Sequence, residues 1–144
     1  MRGSMMESRV KTVLVVEDSP SQAITIQLFL EQSGFKVLWA PDGSVGVLMA
    51  DEYLPDVIVM DVEMPVMDGF EACKAIKENP RTAGIPIVML TVRSEADCLI
   101  KGMELGIDDF IPKDPFSTMV LMGTLSQLGL FDQGQEARGA DEKA

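Results

Sequence analysis

The sequence predicts an α/β protein built from five successive strand–helix units, (βα)5, around a parallel sheet. Short apolar runs of strand length alternate five times with stretches of helix length. Most of these runs are continuously apolar, which is typical of strands covered by helices on both faces. The chain has 144 residues, enough for one domain with a single core, and this length argues against a two-domain enzyme.

The first unit has the clearest boundaries. An apolar strand over residues 12–16 is followed by Ser19-Pro20, which provides an N-cap and a proline at the first helical position. We predict a helix over residues 21–33, and Gly34 then supplies the left-handed residue that ends it.

The other four units follow the same pattern, and turn residues, a glycine or a proline mark their boundaries. Their predicted strands are residues 35–40, 57–60, 86–90 and 109–112. Their predicted helices are residues 44–52, 70–79, 94–105 and 117–128. We therefore expect an N-terminal leader over 1–10, one domain over 11–128, and a polar tail or the start of a linker over 129–144.

Composition excludes several classes of function. Twelve basic against 23 acidic residues give a net charge of -11, which argues against direct nucleic-acid binding. The absence of histidine removes the usual general base and a common metal ligand. Cys73 and Cys98 form no CxxC pair, so we expect two buried thiols and a reducing compartment. No early apolar run has the length of a membrane span, and we expect a cytoplasmic protein that does not bind membranes.

Polar side chains follow four of the five predicted strands. The first strand runs into Glu17-Asp18, the third into Asp61, the fourth into Thr91 and the fifth into Lys113. The carboxyl ends of parallel strands meet at one edge of an open sheet, and ligands bind at that edge. The sequence therefore predicts a single site at which three carboxylates, a hydroxyl and an ammonium group come together.

The composition of this site indicates phosphoryl chemistry. Three carboxylates held close together repel one another unless a cation neutralises them. Oxygen donors in an incomplete cage favour Mg²⁺, which keeps some water and can take a phosphoryl oxygen. Lys113 and Thr91 are then suited to the other phosphoryl oxygens. Asp61 is the candidate nucleophile because we expect its strand at the centre of the sheet.

Four segments resemble one known family, the receiver domain of two-component response regulators. They are VLVVEDS at 13–19, DVIVMDVEMPVMDG at 56–69, PIVMLT at 86–91 and DDFIPK at 108–113. The resemblance covers about residues 11–128, and the stretch from Asp61 through Met-Pro-x-Met-Asp-Gly is highly specific. It implies a flavodoxin-like sheet of order 2-1-3-4-5.

The resemblance also implies a phosphoacceptor regulator that assists its own phosphoryl transfer and dephosphorylation, not a conventional enzyme. Asp61 would accept the phosphoryl group from a histidine kinase or phosphotransfer protein. Asp18 would bind Mg²⁺ directly, Glu17 would bind it through water, and the backbone carbonyl of Glu63 would complete the protein ligands.

A switch is implied as well. Thr91 and Lys113 would contact phosphoryl oxygens, and the rotamer of Phe110 would follow the movement of Thr91. The surface that responds would be the fourth helix, the fifth strand and the fifth helix, which would bind a downstream protein.

The segment after Lys113 departs from the family pattern. The family usually has Lys followed at once by Pro through a cis bond, whereas Asp114 stands between Lys113 and Pro115 here. The cis bond therefore has two candidate positions, Lys113-Asp114 and Asp114-Pro115.

Residues next to the site predict slow turnover of the acyl phosphate. Val92 stands where the family commonly has a small residue, and its branched side chain would narrow the approach to Asp61. Glu63 and Arg93 are opposite in charge, and we expect them to pair over the site and to limit access further.

The fifth helix is a candidate partner surface. At 100° per residue, Leu121, Leu125 and Leu128 share one stripe that should pack on the sheet. Met119 and Met122 are predicted to project away from it, where they could form a homodimer interface. The competing interpretations are a Met-rich core or a cover formed by the tail or the fourth helix.

Three alternatives remain at this point. A flavodoxin-like nucleotide or flavin binder shares the (βα)5 pattern, but Glu17-Asp18 would repel a phosphate. A Mg²⁺-dependent phosphohydrolase would need a second acidic group as general acid and usually a cap domain. Within the receiver interpretation, we favour a single-domain regulator over an excised module of a larger regulator or hybrid kinase.

Overall fold

The computed structural model describes residues 10–92, 96–114 and 117–130. Five parallel strands form one sheet in the order β2-β1-β3-β4-β5, so the predicted fold class and strand order are confirmed. The strands are β1 Thr12–Val16, β2 Lys36–Ala40, β3 Val57–Asp61, β4 Ile87–Thr91 and β5 Asp109–Pro112. The helices are α1 Pro20–Gln32, α2 Gly43–Tyr53, α3 Gly69–Glu78, α4 Ala96–Leu105 and α5 Ser117–Gln127.

The core has two layers, one on each face of the sheet. Successive side chains of a strand point to opposite faces, so Val13 and Val15 join one layer while Leu14 and Val16 join the other. Buried residues of α1 and α5 pack in the first layer, and those of α2, α3 and α4 pack in the second. β1, β3 and β4 are almost completely buried, as their continuous apolar runs predicted.

Side-chain caps begin α1, α2 and α3, which leave the carboxyl edge of the sheet. The Ser19 hydroxyl accepts from the backbone N–H of Gln22 at the start of α1. Asp42 accepts from the N–H of Val45 at the start of α2. Asp68 and Glu71 form a complete capping box at the start of α3, with both bonds at 2.9 Å. These caps hold the loops on which the site depends.

The packing of α5 corrects one prediction. Leu121 and Leu125 are buried and Leu128 packs beside them, as expected, and Met119 is 69% exposed. Met122, however, is only 5% exposed and belongs to the core. The prediction for Met122 was wrong because the buried arc of α5 is wider than the leucine stripe: Met122 stands about 60° from Leu125 around the helix axis.

Both thiols, Cys73 and Cys98, are buried, as predicted. No peptide bond between described residues is cis, so a cis Lys113-Asp114 bond is ruled out. The Asp114-Pro115 bond, the predicted leader over 1–9 and the tail over 131–144 lie outside the described residues. None of the helices in the described ranges is both long and apolar enough to cross a membrane.

Candidate functional site

The predicted site residues meet at the carboxyl edge of the sheet. Asp61 ends β3 and Thr91 ends β4, while Glu17 directly follows β1 and Lys113 directly follows β5. The ladder continues past the last strand residues, since the N–H of Lys113 donates to the carbonyl of Thr91 at 2.9 Å. In the same way the N–H of Glu17 donates to Ala40 O at 3.0 Å. Glu17 and Lys113 are therefore positioned by the sheet itself.

Glu17, Asp18 and Asp61 form an acidic cluster. One carboxylate oxygen from each residue lies within 4.8 Å of the other two. Glu17 and Asp61 are buried, at 2% and 6% exposure, whereas Asp18 is open to solvent. This donor set consists only of oxygen atoms, and it is buried on one side and exposed to solvent on the other. Such a set fits a hard divalent cation that keeps part of its water shell. The residues present thus fit the predicted Mg²⁺.

Lys113 lies against this cluster. Its Nζ is 3.1 Å from Asp61 Oδ2 and 3.2 Å from Glu17 Oε1. It also donates a hydrogen bond of 2.9 Å to the side-chain oxygen of Gln22, a residue that the sequence analysis did not identify. Burial by itself would lower the pKa of Lys113, but the hydrogen bond and charge of Asp61, together with Glu17, raise it above its ordinary value. Lys113 is therefore fully charged in the site.

The carboxyl of Glu17 binds its proton more tightly than an ordinary glutamate does. Its pKa is raised from 4.5 to about 7, first by burial and then by the neighbouring charge of Asp61. Lys113 and the backbone N–H of Ser19, which donates to Glu17 Oε2, oppose this shift without cancelling it. A divalent cation would favour the charged form of this carboxyl and relieve the repulsion.

The loop between β3 and α3 holds the acceptor residue on its other side. The N–H of Glu63 donates to Asp61 Oδ1 at 3.3 Å, so the backbone at the proposed carbonyl ligand lies beside the acidic cluster. Gly69 donates to the carbonyl of Val62 at 2.8 Å. A Cβ at Gly69 would collide with the backbone oxygen of Asp61, so the start of α3 packs directly on the end of β3.

Phe110 lies on the face of the sheet covered by α3 and α4. It packs at the edge of that core layer, and its ring centroid is 6.4 Å from that of Phe70. The ring lies so close to Gly102 of α4 that a Cβ there would overlap it. Phe110 therefore links β5 to α4, two of the three elements of the predicted responsive surface.

Val92 stands at the mouth of the site and is 69% exposed. Together with Gln22 and Lys113 it lines a cleft of about 480 Å³ between α1 and the segment after β5. The expected partner of Glu63, Arg93, lies outside the described residues, so their pairing stays a prediction.

Comparison with known proteins identifies the family. The family model for the response regulator receiver domain matches residues 13–125. The chain belongs to the response regulator receiver domains. Members of this family act in two-component systems as phosphoacceptor regulators and are not conventional enzymes.

Curated relatives of this receiver include larger regulators. It is 41% identical over 107 residues to the alkaline phosphatase synthesis transcriptional regulatory protein PhoP of Bacillus subtilis. The match covers 74% of this chain and 43% of PhoP. The receiver spans about half the length, or less, of several curated regulators that it matches.

Solved structures agree with the fold. Chemotaxis protein CheY4 of Vibrio cholerae superposes with a TM-score of 0.78 at 34% identity, covering 83% of this receiver and 98% of that chain. The receiver domain of sensor histidine kinase PA1611 from Pseudomonas aeruginosa has a TM-score of 0.75 at 28% identity, with 83% and 97% covered. That structure has a magnesium ion coordinated in its active-site cleft.

Proposed function

We propose that this receiver takes a phosphoryl group onto Asp61 from the phosphohistidine of a histidine kinase or phosphotransfer protein. The observation that supports this most directly is the placement of Asp61: its carboxylate is buried, within 4.8 Å of two other acidic groups and 3.1 Å from Lys113 Nζ. A buried carboxylate beside other charged groups is typical of a functional site, and a carboxylate nucleophile needs a cation beside it to receive an anionic group.

The transfer forms one bond and breaks one. An oxygen of Asp61 attacks phosphorus, the P–N bond to the donor imidazole breaks, and its electron pair stays on the imidazole nitrogen. Lys113 remains at Asp61 and meets the negative charge of the incoming group, and the Thr91 hydroxyl donates to another phosphoryl oxygen. The receiver thereby assists its own phosphorylation, and water later hydrolyses the acyl phosphate.

Mg²⁺ is the cofactor in this proposal, with Asp18, Asp61 and the carbonyl of Glu63 as ligands and Glu17 bound through water. The magnesium ion in the cleft of the PA1611 receiver supports the assignment, as do the three carboxylates here. When bound, Mg²⁺ neutralises the acidic cluster and provides a contact for a phosphoryl oxygen.

The response proceeds through Thr91 and Phe110. When Thr91 turns toward the phosphoryl group, Phe110 changes its packing against α4, and the α4-β5-α5 face changes with it. This face exposes apolar side chains that suit a downstream protein or a second copy of the chain: Leu99, Ile100, Met103, Met119 and Val120.

We propose further that the receiver works in the cytoplasm as a single-domain regulator. The near-complete coverage of CheY4, 98% of its chain, supports a regulator of this size. The alternative is a module of a larger regulator or hybrid kinase, as the PA1611 receiver is. The gene sequence after the codon for Ala144 distinguishes them: a stop codon supports the first, and a further domain supports the second.

Mass spectrometry after incubation with acetyl phosphate and Mg²⁺ tests the phosphoacceptor. We expect one phosphoryl group per chain, none in Asp61→Asn and little when a chelator is present. Asp114→Asn is the matched control, because it removes an exposed carboxylate next to Lys113 that has no role in the proposal. Phosphorylation that persists in Asp61→Asn would refute it, and release of phosphate over many turnovers would indicate a phosphohydrolase instead.

A further inference from the structure

The first turn of α1 has an incomplete capping box. Ser19 is the N-cap, and Gln22 occupies the third helical position, where a Gln or Glu side chain ordinarily accepts from the N–H of the cap residue. Here the N–H of Ser19 donates to Glu17 Oε2 at 3.2 Å instead. The side chain of Gln22 accepts from Lys113 Nζ at 2.9 Å.

The capping box of α3 shows the ordinary arrangement in the same chain. There, Glu71 occupies the equivalent position and accepts from the N–H of its own cap residue, Asp68, at 2.9 Å. At α1, Glu17 performs that local role and Gln22 bonds a residue 91 positions away. The departure from the ordinary cap therefore connects the start of α1 to the ammonium group of the site.

We propose that Gln22 is a positioning residue that holds the Lys113 ammonium at Asp61 during phosphoryl transfer. The inference rests on the proposed function. A lysine ammonium has three N–H donors, and three acceptors surround this one: Asp61 at 3.1 Å, Glu17 at 3.2 Å and Gln22 at 2.9 Å. Each donor thus has one acceptor.

Gln22 differs from the other two acceptors in charge and in its part in the reaction. Asp61 becomes a mixed carboxylic–phosphoric anhydride when it accepts the phosphoryl group, and Glu17 would bind Mg²⁺ through water. The amide of Gln22 is neutral and reacts with neither the phosphoryl group nor Mg²⁺. Its hydrogen bond to Lys113 is therefore retained throughout the transfer. It therefore keeps the flexible Lys113 side chain in place while one donor passes from Asp61 to the phosphoryl group.

Three variants separate this role from a general effect on α1. Gln22→Met keeps the length of the side chain and removes the acceptor, and Gln22→Glu keeps an acceptor. Gln27→Met is the matched control on the same helix, because the side-chain amide of Gln27 donates to Glu31 one turn away and stands about 140° from Gln22 around the helix axis. Gln22 is exposed and Gln27 is half-buried at the helix surface, so all three substitutions are compatible with folding.

The measurements are the rate of phosphorylation by phosphoramidate at saturating Mg²⁺, followed by intact mass, and the Mg²⁺ affinity from thermal shift. We expect Gln22→Met to slow phosphorylation by about threefold to tenfold, as for the loss of one partly exposed hydrogen bond to a charged group. Its Mg²⁺ affinity should stay within about twofold of wild type, because the metal ligands are untouched. Gln22→Glu should be faster than Gln22→Met, and Gln27→Met should match wild type.

An unchanged or higher rate in Gln22→Met would overturn the inference, as would an equal loss in Gln27→Met. A Mg²⁺ affinity that falls in parallel with the rate would assign Gln22 to the metal site instead of to Lys113. Failure of the wild type to be phosphorylated on Asp61 would refute the proposed function itself, which is a distinct result.

Discussion

The indole N–H of Trp39 donates a hydrogen bond of 2.8 Å to the backbone carbonyl of Glu17. β2 ends at Ala40 and is followed by Pro41, which has no N–H to offer a neighbouring strand. The indole provides a donor at this point, while the N–H of Glu17 is bonded to Ala40 O. The edge strand thereby anchors the loop that bears two of the three acidic residues.

This contact predicts that Trp39 fluorescence reports Mg²⁺ binding. The chain has one tryptophan, so the signal has a single source. We expect Mg²⁺ to change its intensity or wavelength and also to raise the melting temperature, because the ion binds the folded site and relieves repulsion there. A titration by each method should give the same midpoint, and Asp18→Asn should move both to higher Mg²⁺. A flat response in both methods would contradict the assignment.

The raised pKa of Glu17 predicts a pH effect on the metal-free protein. Because the folded state binds this proton more tightly, the contribution of Glu17 stabilises the fold below about 4.5 and is lost as the pH rises through about 7. Glu17→Gln stays neutral, so its stability relative to wild type should increase over this window. Denaturant unfolding with a chelator measures the difference, and a difference that stays constant from acid to neutral pH would count against it.

A second pair of variants tests the packing of α3 on β3. Gly69→Ala should destabilise the protein by about 1–3 kcal/mol, because its Cβ would collide with the backbone of Asp61. Gly123→Ala in α5 meets no atom within 4 Å and should stabilise by up to about 1 kcal/mol through helix propensity. Chemical denaturation gives both values. Equal effects of the two substitutions would show that Gly69 is not required for close approach.

Access of water to the acyl phosphate should depend on Val92 and Arg93. Val92 is exposed beside the site, so Val92→Ala, which removes the branched side chain, should shorten the half-life of the acyl phosphate. We expect the same effect from Arg93→Ala. Val120→Ala is the control, since it trims an exposed valine on α5. Half-lives equal to or longer than that of wild type in both site variants would reject the prediction.

The two methionines of α5 should respond differently to charge. Met122→Lys should lower stability by about 3 kcal/mol or more, because it places an ammonium group in the core. Met119→Lys should leave the free energy of unfolding within about 0.5 kcal/mol of wild type, since Met119 is exposed.

If the exposed face of α5 forms the proposed dimer, sedimentation of the phosphorylated protein should show a dimer that Met119→Lys dissociates. A monomer in every state would reject the dimer.

The strands and the residues of the candidate site follow from the sequence by itself. Continuous apolar runs are sufficient to place the buried central strands β1, β3 and β4, because only helices on both faces remove such runs from water. The edge strands β2 and β5 are partly exposed. The residue that ends or follows each strand is then brought to the same edge by the parallel sheet, and this brings Glu17, Asp61, Thr91 and Lys113 together. The predicted acidic cluster is an outcome of that rule.

Tertiary structure decided the contacts that no local pattern specifies. Met122 is buried because the groove that receives α5 is wider than its leucine stripe, and helical periodicity gives a direction but no width. Gln22 occupies the third helical position, where a bond to the local cap is ordinary, yet its side chain accepts from Lys113 while Glu17 accepts from the cap N–H. Trp39 is a partly exposed residue of an edge strand, yet its indole N–H supports the loop that bears Glu17 and Asp18. In each case competition among partners that are distant in sequence selects the contact, and only the folded chain brings those partners within reach of one another.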